Sequence, residues 1–330
     1  MLDLFGKFLT EVRRERFFQR GDTLLVAVSG GVDSMVLLAL CLRLAQKESL
    51  TVACAHINYR LRGKESEAQE ALVRRFAKDH EIFYAVARPH SKKTKQNFQA
   101  FARDVRRDFL LKIAQKIRAT HVVLGHHLED QVETVMGHLL RGSGLHGLGA
   151  MGPMVFFEKI PWVRPLLSFQ KKELYAYARK EKIPFIEDSS NKTFKYHRNR
   201  LRQELIPQLE KLSKGSLKRI ASLSETSRLW GECMSSLAEK ELKKSGKKGA
   251  SGLTLDRGHL ISLPKALRQE LFRQAYIQMT GGSADLKRDH LEKMEALCLG
   301  DRPRSTYRLP KGLQWVREKE KLLFLNNSLC

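Results

Sequence analysis

Hydrophobic positions in the first 140 residues fall into two regular patterns. Short continuous apolar runs at Thr23–Val28, Thr51–Ile57, Ile82–Val86 and His121–Gly125, rich in Val, Ile and Ala, predict buried strands. Between them, Asp33–Gln46, Lys64–His80, Phe98–Arg118 and Glu129–Arg141 place apolar residues at helical spacing. A basic amphipathic helix over residues 1–20 precedes the first strand. Strands separated by helices predict right-handed crossovers and a buried parallel sheet. Such sheets bind their ligands at the carboxyl ends of the strands.

The pattern then changes. "RGSGLHGLGAMGP", Arg141–Pro153, is too long and too rich in glycine for a plain connection, and loops of this kind are functional or mobile. Gln170–Lys182 returns to helical spacing, and Arg198–Leu212 predicts a basic helix in which Pro207 implies a kink. A long helical pattern runs from about Gly215 to Lys244, and "KKSGKKGASG" reads as an exposed basic linker. Helices at Lys265–Thr280 and Leu286–Leu297 follow, with a closing strand pair at Thr306–Leu309 and Lys321–Leu325. These patterns divide the chain into an α/β domain over 1–214, a helical linker over 215–249 and a mainly α-helical C-terminal domain over 250–330.

At 330 residues and 42% hydrophobic composition, the chain can bury two cores. Its 60 Lys and Arg against 36 Asp and Glu leave a formal charge of +24, more than solubility requires, and this points to a polyanionic partner. The excess is local. Arg88–Arg118 holds ten basic and two acidic residues, and Lys192–Arg219 nine and two. Each is a candidate phosphate-backbone footprint, with a solvated helix face as the plainer reading. Five scattered cysteines without a C-x-x-C pair indicate neither zinc knuckle nor disulfide framework and fit a reducing, cytoplasmic location. No apolar segment has the length of a signal peptide or a membrane span.

Two stretches carry chemistry. At Ser29-Gly30-Gly31-Val32-Asp33-Ser34 a strand ends in small residues and a helix begins, so backbone N–H groups and the helix dipole converge on one point. That suits an anion. The loop has no Walker lysine and no G-x-G-x-x-G, and Asp33 inside it would repel a phosphate unless a metal ion or a cationic substrate intervenes. The alternative is a tight turn capped by Ser29 or Asp33. In "GHHLEDQVET", Gly125–Thr134, helical spacing puts His126, Asp130 and Glu133 on roughly one face, where they can bind Mg²⁺, accept a proton or hold an amine.

The string SGGVDS resembles the PP-loop of the ATP pyrophosphatases, which cleave ATP between its α and β phosphates and adenylate an oxygen of the substrate. The second string, continued by "LLRGSGLHGL", is similar to the tRNA(Ile)-lysidine synthetases. "HINYRLR" at His56–Arg62, "ARDVRRDFL" at Ala102–Leu110, "RPLL" at Arg164–Leu167 and "EDSSN…RNRLRQELIP" from Glu187 to Pro207 agree with that family in order, over residues 20–210. The resemblance implies a Rossmann-like PP-loop domain that uses ATP and Mg²⁺ to activate the wobble cytidine of an isoleucine tRNA with a CAU anticodon. L-lysine then displaces AMP to give lysidine.

Carried over by position, Ser29, Gly30, Gly31, Val32, Asp33 and Ser34 would hold ATP. Asp33, Arg106, His126, Asp130 and Glu133 would surround lysine and the activated base, with Asp33 and Asp130 the candidate Mg²⁺ ligands. His56, Arg62, Arg103, Arg141, Ser143, His146, Arg198, Arg200 and Arg202 would meet tRNA or lysine, and Gly142, Gly144 and Gly147 would let their loop move. Beyond residue 210 the resemblance thins, to a helical domain like that after the catalytic core, and the chain resembles a short form without the last tRNA-contacting domain. Lys243–Lys248 would supply backbone contacts there, while Trp162, Phe194 or Tyr196 would stack on a base or pack in the core. Tyr59 stands where many relatives carry a second histidine, and Arg107 where an aromatic is common. The chain could instead be a tRNA thiolase of the same superfamily, an ammonia-using relative or a non-catalytic tRNA-binding protein. A homodimer is one arrangement left open. If the basic stretches bind phosphate backbone, affinity for tRNA will fall steeply between low and physiological salt, and a flat filter-binding titration would exclude that electrostatic footprint.

Overall fold

A computed structural model describes residues 3–61, 63–89, 98–187, 200–249, 252–282 and 285–326. The chain divides into residues 1–227 and 228–330, a boundary that lies within the stretch read as a helical linker.

In the first unit, helix α1 (Leu4–Arg14) leads into β1 (Thr23–Ala27), α2 (Val32–Glu48), β2 (Thr51–Ile57), α3 (Lys64–Asp79), β3 (Phe83–Ala87), α4 (Phe98–Lys116), β4 (His121–Val123) and α5 (Leu128–Leu139). The four strands lie where the apolar runs predict them. A short helix α6 (Leu145–Leu148), a hairpin β5 (Met154–Phe157) and β6 (Ile160–Val163), and helix α7 (Lys171–Lys180) follow. The hairpin has no sequence pattern of its own, because its strands are only four residues each and contain Pro161.

The sheet order is β3-β2-β1-β4-β6-β5, parallel except for the β5–β6 pair. From β1 the chain builds outward through β2 and β3, then crosses to the other side of β1 to lay down β4. The carboxyl ends of β1 and β4 thus flank the switch point of the sheet. Alternation along β1 explains its two cores. Leu24 and Val26 pack with α1, α2 and α7, whereas Leu25 packs with α4 and Trp162. Buried Trp162 belongs to that core, which removes it as a base-stacking candidate.

The predicted kink at Pro207 is a change of helix type. One π-helical turn, Leu201–Leu205, precedes α8 (Ile206–Leu212), and the Ile206 N–H donates to the Leu201 carbonyl, five residues back. Pro207 has no N–H with which to continue an α ladder through this turn. Helix α9 (Ser216–Ser245) comes next.

The second unit contains more sheet than the predicted closing pair. Strands β7 (Gly246–Gly249), β8 (Gly252–Asp256), β9 (Arg304–Arg308), β10 (Leu313–Glu318) and β11 (Lys321–Asn326) form an antiparallel sheet in the order β7-β8-β11-β10-β9. Part of the supposed linker "KKSGKKGASG" is therefore the edge strand β7, whose lysines suit an edge that must not pair further. Helices α10 (Arg257–Ser262), α11 (Lys265–Thr280) and α12 (Arg288–Leu299) cover it, and Phe272, Met294, Trp315 and Phe324 fill the core between. No helix among the described residues is long and apolar enough to cross a membrane.

Within this core Arg268 and Glu295 form an ion pair with side chains only 7% exposed each. Arg268 Nη1 also donates to the carbonyls of Leu260 at 3.1 Å and Leu263 at 3.0 Å, closing the end of α10. Removing one partner would strand the other charge in an apolar interior. Arg268→Met is expected to cost about 3–5 kcal/mol of stability, measured by urea unfolding of the second unit's tryptophan fluorescence. An unshifted midpoint would show that Glu295 finds another partner.

Candidate functional site

The loop after β1 is held by hydrogen bonds of its own. Val28 N–H extends the pairing to Ala55 O at 2.9 Å, and Gly30 then takes φ +90°, a left-handed conformation that favours glycine. A Cβ there would lie 3.1 Å from Gln69 Cβ of α3, so the packing also selects glycine. Ser34 Oγ accepts the Ser29 N–H at 3.0 Å and donates to Gly31 O at 3.0 Å. From the other side, Ile186 N–H donates to Gly30 O at 3.0 Å. Gly31 is the N-cap of α2 and no side chain caps that helix, so neither Ser29 nor Asp33 plays the capping role of the plainer reading. Among the described residues its first-turn N–H groups have no side-chain acceptor, as an anion site requires.

Gly125 follows β4, where a methyl group would rest 3.4 Å from the backbone of Asp33. The two loops therefore touch, and α5 starts beside α2. His127 is its N-cap, and Asp130 Oδ2 accepts the His127 N–H at 3.1 Å. One carboxylate thus serves both the helix end and the cluster. The ring of His127, 1% exposed, meets carboxylates at both nitrogens. Nδ1 lies 3.0 Å from Glu129 Oε2, and Nε2 lies 3.5 Å from Asp130 Oδ2 and 3.6 Å from Asp33 Oδ2. Arg202, on the π turn, bonds Asp130 Oδ1 at 2.7 Å through Nη2 and Glu133 Oε1 through Nε. Lys171, first residue of α7, donates its backbone N–H to Glu129 Oε2 at 3.0 Å and brings Nζ to 3.9 Å from Asp33 Oδ2.

Protonation follows from this crowding. Burial pushes the Asp33 carboxyl up, against the cations of His127 and Lys171. Burial opposes protonation of His127, but Asp130, Glu129 and Asp33 outweigh it and hold the imidazole above its ordinary range. Asp33 Oδ1 is buried without a hydrogen-bond partner. Among the described residues no three His, Cys, Asp or Glu side chains converge as a metal site. One orphaned carboxylate oxygen beside a phosphate loop nevertheless fits Mg²⁺, which is held by one or two carboxylates plus substrate phosphates.

Asp33, Asp130, Glu133 and Arg202 are thus brought together at the loop. His56 lies behind it, buried, with Nδ1 2.8 Å from Val28 O. Burial pushes its imidazole down, so the ring stays neutral with Nδ1–H donating. Tyr59 donates its hydroxyl to Ala102 O at 2.8 Å, and so ties the β2 loop to α4. Burial pushes this phenol up, with the Arg106 guanidinium beside it acting in the opposite direction. Arg106 and Arg103 are exposed on α4.

The glycine-rich loop is partly ordered. Gln131 exchanges hydrogen bonds with the Met151 backbone at 3.0 and 3.1 Å, and His138 bonds Gly147 O. A Cβ on Gly147 would collide with Ser143 at 2.4 Å. Arg141 and His146 are exposed there, and Arg200 is exposed with its Nε 3.5 Å from Glu204. Arg62, Arg198, Phe194 and Tyr196 lie outside the described residues. Neither His127 nor Lys171 stands out in the sequence. The doubled histidine of "GHH" was the available sign for the first, whereas Lys171, 138 positions from Asp33, had none.

A profile described as a PP-loop domain matches residues 5–209. The tRNA(Ile)-lysidine synthase of Enterococcus faecalis is 33% identical over 84% of this chain and 60% of its own length. That of Geobacillus kaustophilus is 30% identical over 97% of this chain and 70% of its own. The chain belongs to the PP-loop family of the tRNA(Ile)-lysidine synthases. It spans about 60–70% of the length of these curated relatives. The U34-tRNA thiolase NcsA from Methanococcus maripaludis, solved with its iron–sulfur cluster, shares the fold with TM-score 0.57 over 66% of this chain and 78% of that one, at 17% identity. In the present chain Cys41 and Cys54 are buried in the core, and burial pushes the Cys54 thiol up to about 12, far from a thiolate ligand.

A second charged group braces the site from behind. Glu70 of α3 accepts from Asn58 Nδ2 at 2.9 Å and Arg88 Nε at 2.9 Å, and pairs with Arg74. The Arg88 guanidinium holds the Glu70 carboxyl down to about 2, from an ordinary 4.5. A depressed carboxyl contributes stability that is complete above its unfolded value and is lost as pH falls toward its folded one. Unfolding free energy will therefore decline more steeply from about pH 5 to about pH 2 in the unaltered chain than in Glu70→Gln, and parallel profiles by chemical denaturation would overturn this assignment.

Proposed function

We propose that this chain is a tRNA(Ile)-lysidine synthase, which uses ATP and L-lysine to convert the wobble cytidine of an isoleucine tRNA with a CAU anticodon into lysidine. The observation that carries the reading is the grip of Asp130 and Glu133 on the Arg202 guanidinium next to the SGGVDS loop. A carboxylate pair that holds one nitrogen cation beside a phosphate loop suits a reaction whose nucleophile is the amine of lysine and whose electrophile is made from ATP.

In the first step O2 of cytidine attacks the α phosphorus. The new P–O bond forms as the bond to the β phosphate breaks, and pyrophosphate leaves. The loop N–H groups and the α2 dipole stabilise the charge that moves onto the departing phosphates. Mg²⁺, when bound at Asp33 with the phosphates, would neutralise further charge there. In the second step the lysine ε-amine attacks C2 and AMP leaves with O2. Asp130 and Glu133 would orient the amine, which must first lose a proton; His126, just before α5, or one of these carboxylates is the candidate to accept it. The basic surface supports tRNA as the substrate.

The test is transfer of radiolabelled lysine to two purified transcripts, the isoleucine tRNA with a CAU anticodon and the elongator methionine tRNA, with and without ATP. Label is expected only in the isoleucine tRNA and only with ATP. Asp33→Ala is expected to abolish it while circular dichroism shows the protein folded. Bound tRNA that takes up no lysine would overturn the reading in favour of thiolation or binding alone, which a sulfur-transfer assay separates.

A further inference from the structure

The SGGVDS loop contains an acid and no cation, although its proposed ligand is a polyphosphate. The structure places a cation there from elsewhere. Lys171 begins α7, and its position is fixed by backbone rather than side-chain contacts: its N–H donates to both oxygens of Glu129, at 3.1 and 3.0 Å. Glu129 is itself pinned by His127 at 3.0 Å. The segment after α7 returns to the loop through Ile186 and Gly30. Both ends of this element are thus anchored at the site, and the Lys171 ammonium, 24% exposed, stands 3.9 Å from Asp33 within the loop. At that distance it makes no hydrogen bond to Asp33 and keeps its donors for another acceptor.

We infer that Lys171 is a phosphate-binding residue, which supplies to the pyrophosphate portion of ATP the positive charge that Walker-type loops carry within their own motif. The inference rests on the ATP part of the reading above and is independent of lysine or tRNA. An ammonium on a flexible stem suits it, because it can follow pyrophosphate as that group departs. The neighbouring Lys172 is exposed on the same turn and provides a control of equal charge.

The test is equilibrium binding of inorganic pyrophosphate, ATP and AMP to the full chain at constant Mg²⁺, by titration calorimetry. Lys171→Met is expected to weaken pyrophosphate and ATP roughly tenfold or more while AMP stays within about twofold, and Lys171→Arg is expected to recover most of the loss. Lys172→Met should leave all three within about twofold. Unchanged pyrophosphate binding in Lys171→Met, equal weakening by Lys172→Met, or parallel weakening of AMP with a lowered melting midpoint would each overturn the inference. Failure to form lysidine while these affinities behave as expected would count against the proposed function alone.

Discussion

Everything at this site depends on keeping like charges together out of water. Asp33, Glu129, Asp130 and Glu133 crowd the ends of α2 and α5, and Glu133 has no exposed side-chain surface. Buried carboxylates in such proximity are unfavourable unless cations and hydrogen bonds compensate them. The compensation arrives from three separate stretches: His127 at the start of α5, Lys171 at the start of α7 and Arg202 on the π turn. Each cation is delivered by the packing of its own element, so folding and site assembly are one event. An element that fails to dock leaves a carboxylate uncompensated.

The topology explains why these stretches can meet. In a sheet that grows from β1 in both directions, only the carboxyl ends of β1 and β4 face the gap between opposing crossovers. Both motifs sit there, and Gly125 permits their backbones to touch. Behind the gap, Glu70 with its arginines and Tyr59 on Ala102 brace the β2 loop from the far side. Tyr59 is thus anchored to α4 through its hydroxyl.

The legible parts of the chain were those with local causes. The first four strands and the helices between them follow from continuous apolar runs broken by helical spacing, and the loop and α5 motifs announce themselves by short strings. The β5–β6 hairpin and most of the second sheet lacked such periodicity, because four-residue strands such as "GKKG" are decided by their neighbours in the sheet rather than by their own composition. The same holds for the cations. Helical spacing groups His126 with the acids, yet it is His127 that turns inward between them, a distinction set by where the helix cap falls. Lys171 is joined to Asp33 only through tertiary structure.

The π turn at Leu201–Leu205 has a consequence for what this segment can tolerate. A residue in an α-helix is rotated about 100° from its neighbour, so one residue added or lost between Arg202 and Pro207 would swing the guanidinium to another side of the axis. Composition would be nearly unchanged, and the carboxylates would lose their partner. The segment is therefore constrained as a measured spacer: its length in residues, as much as their identity, sets the neutrality of the buried acids.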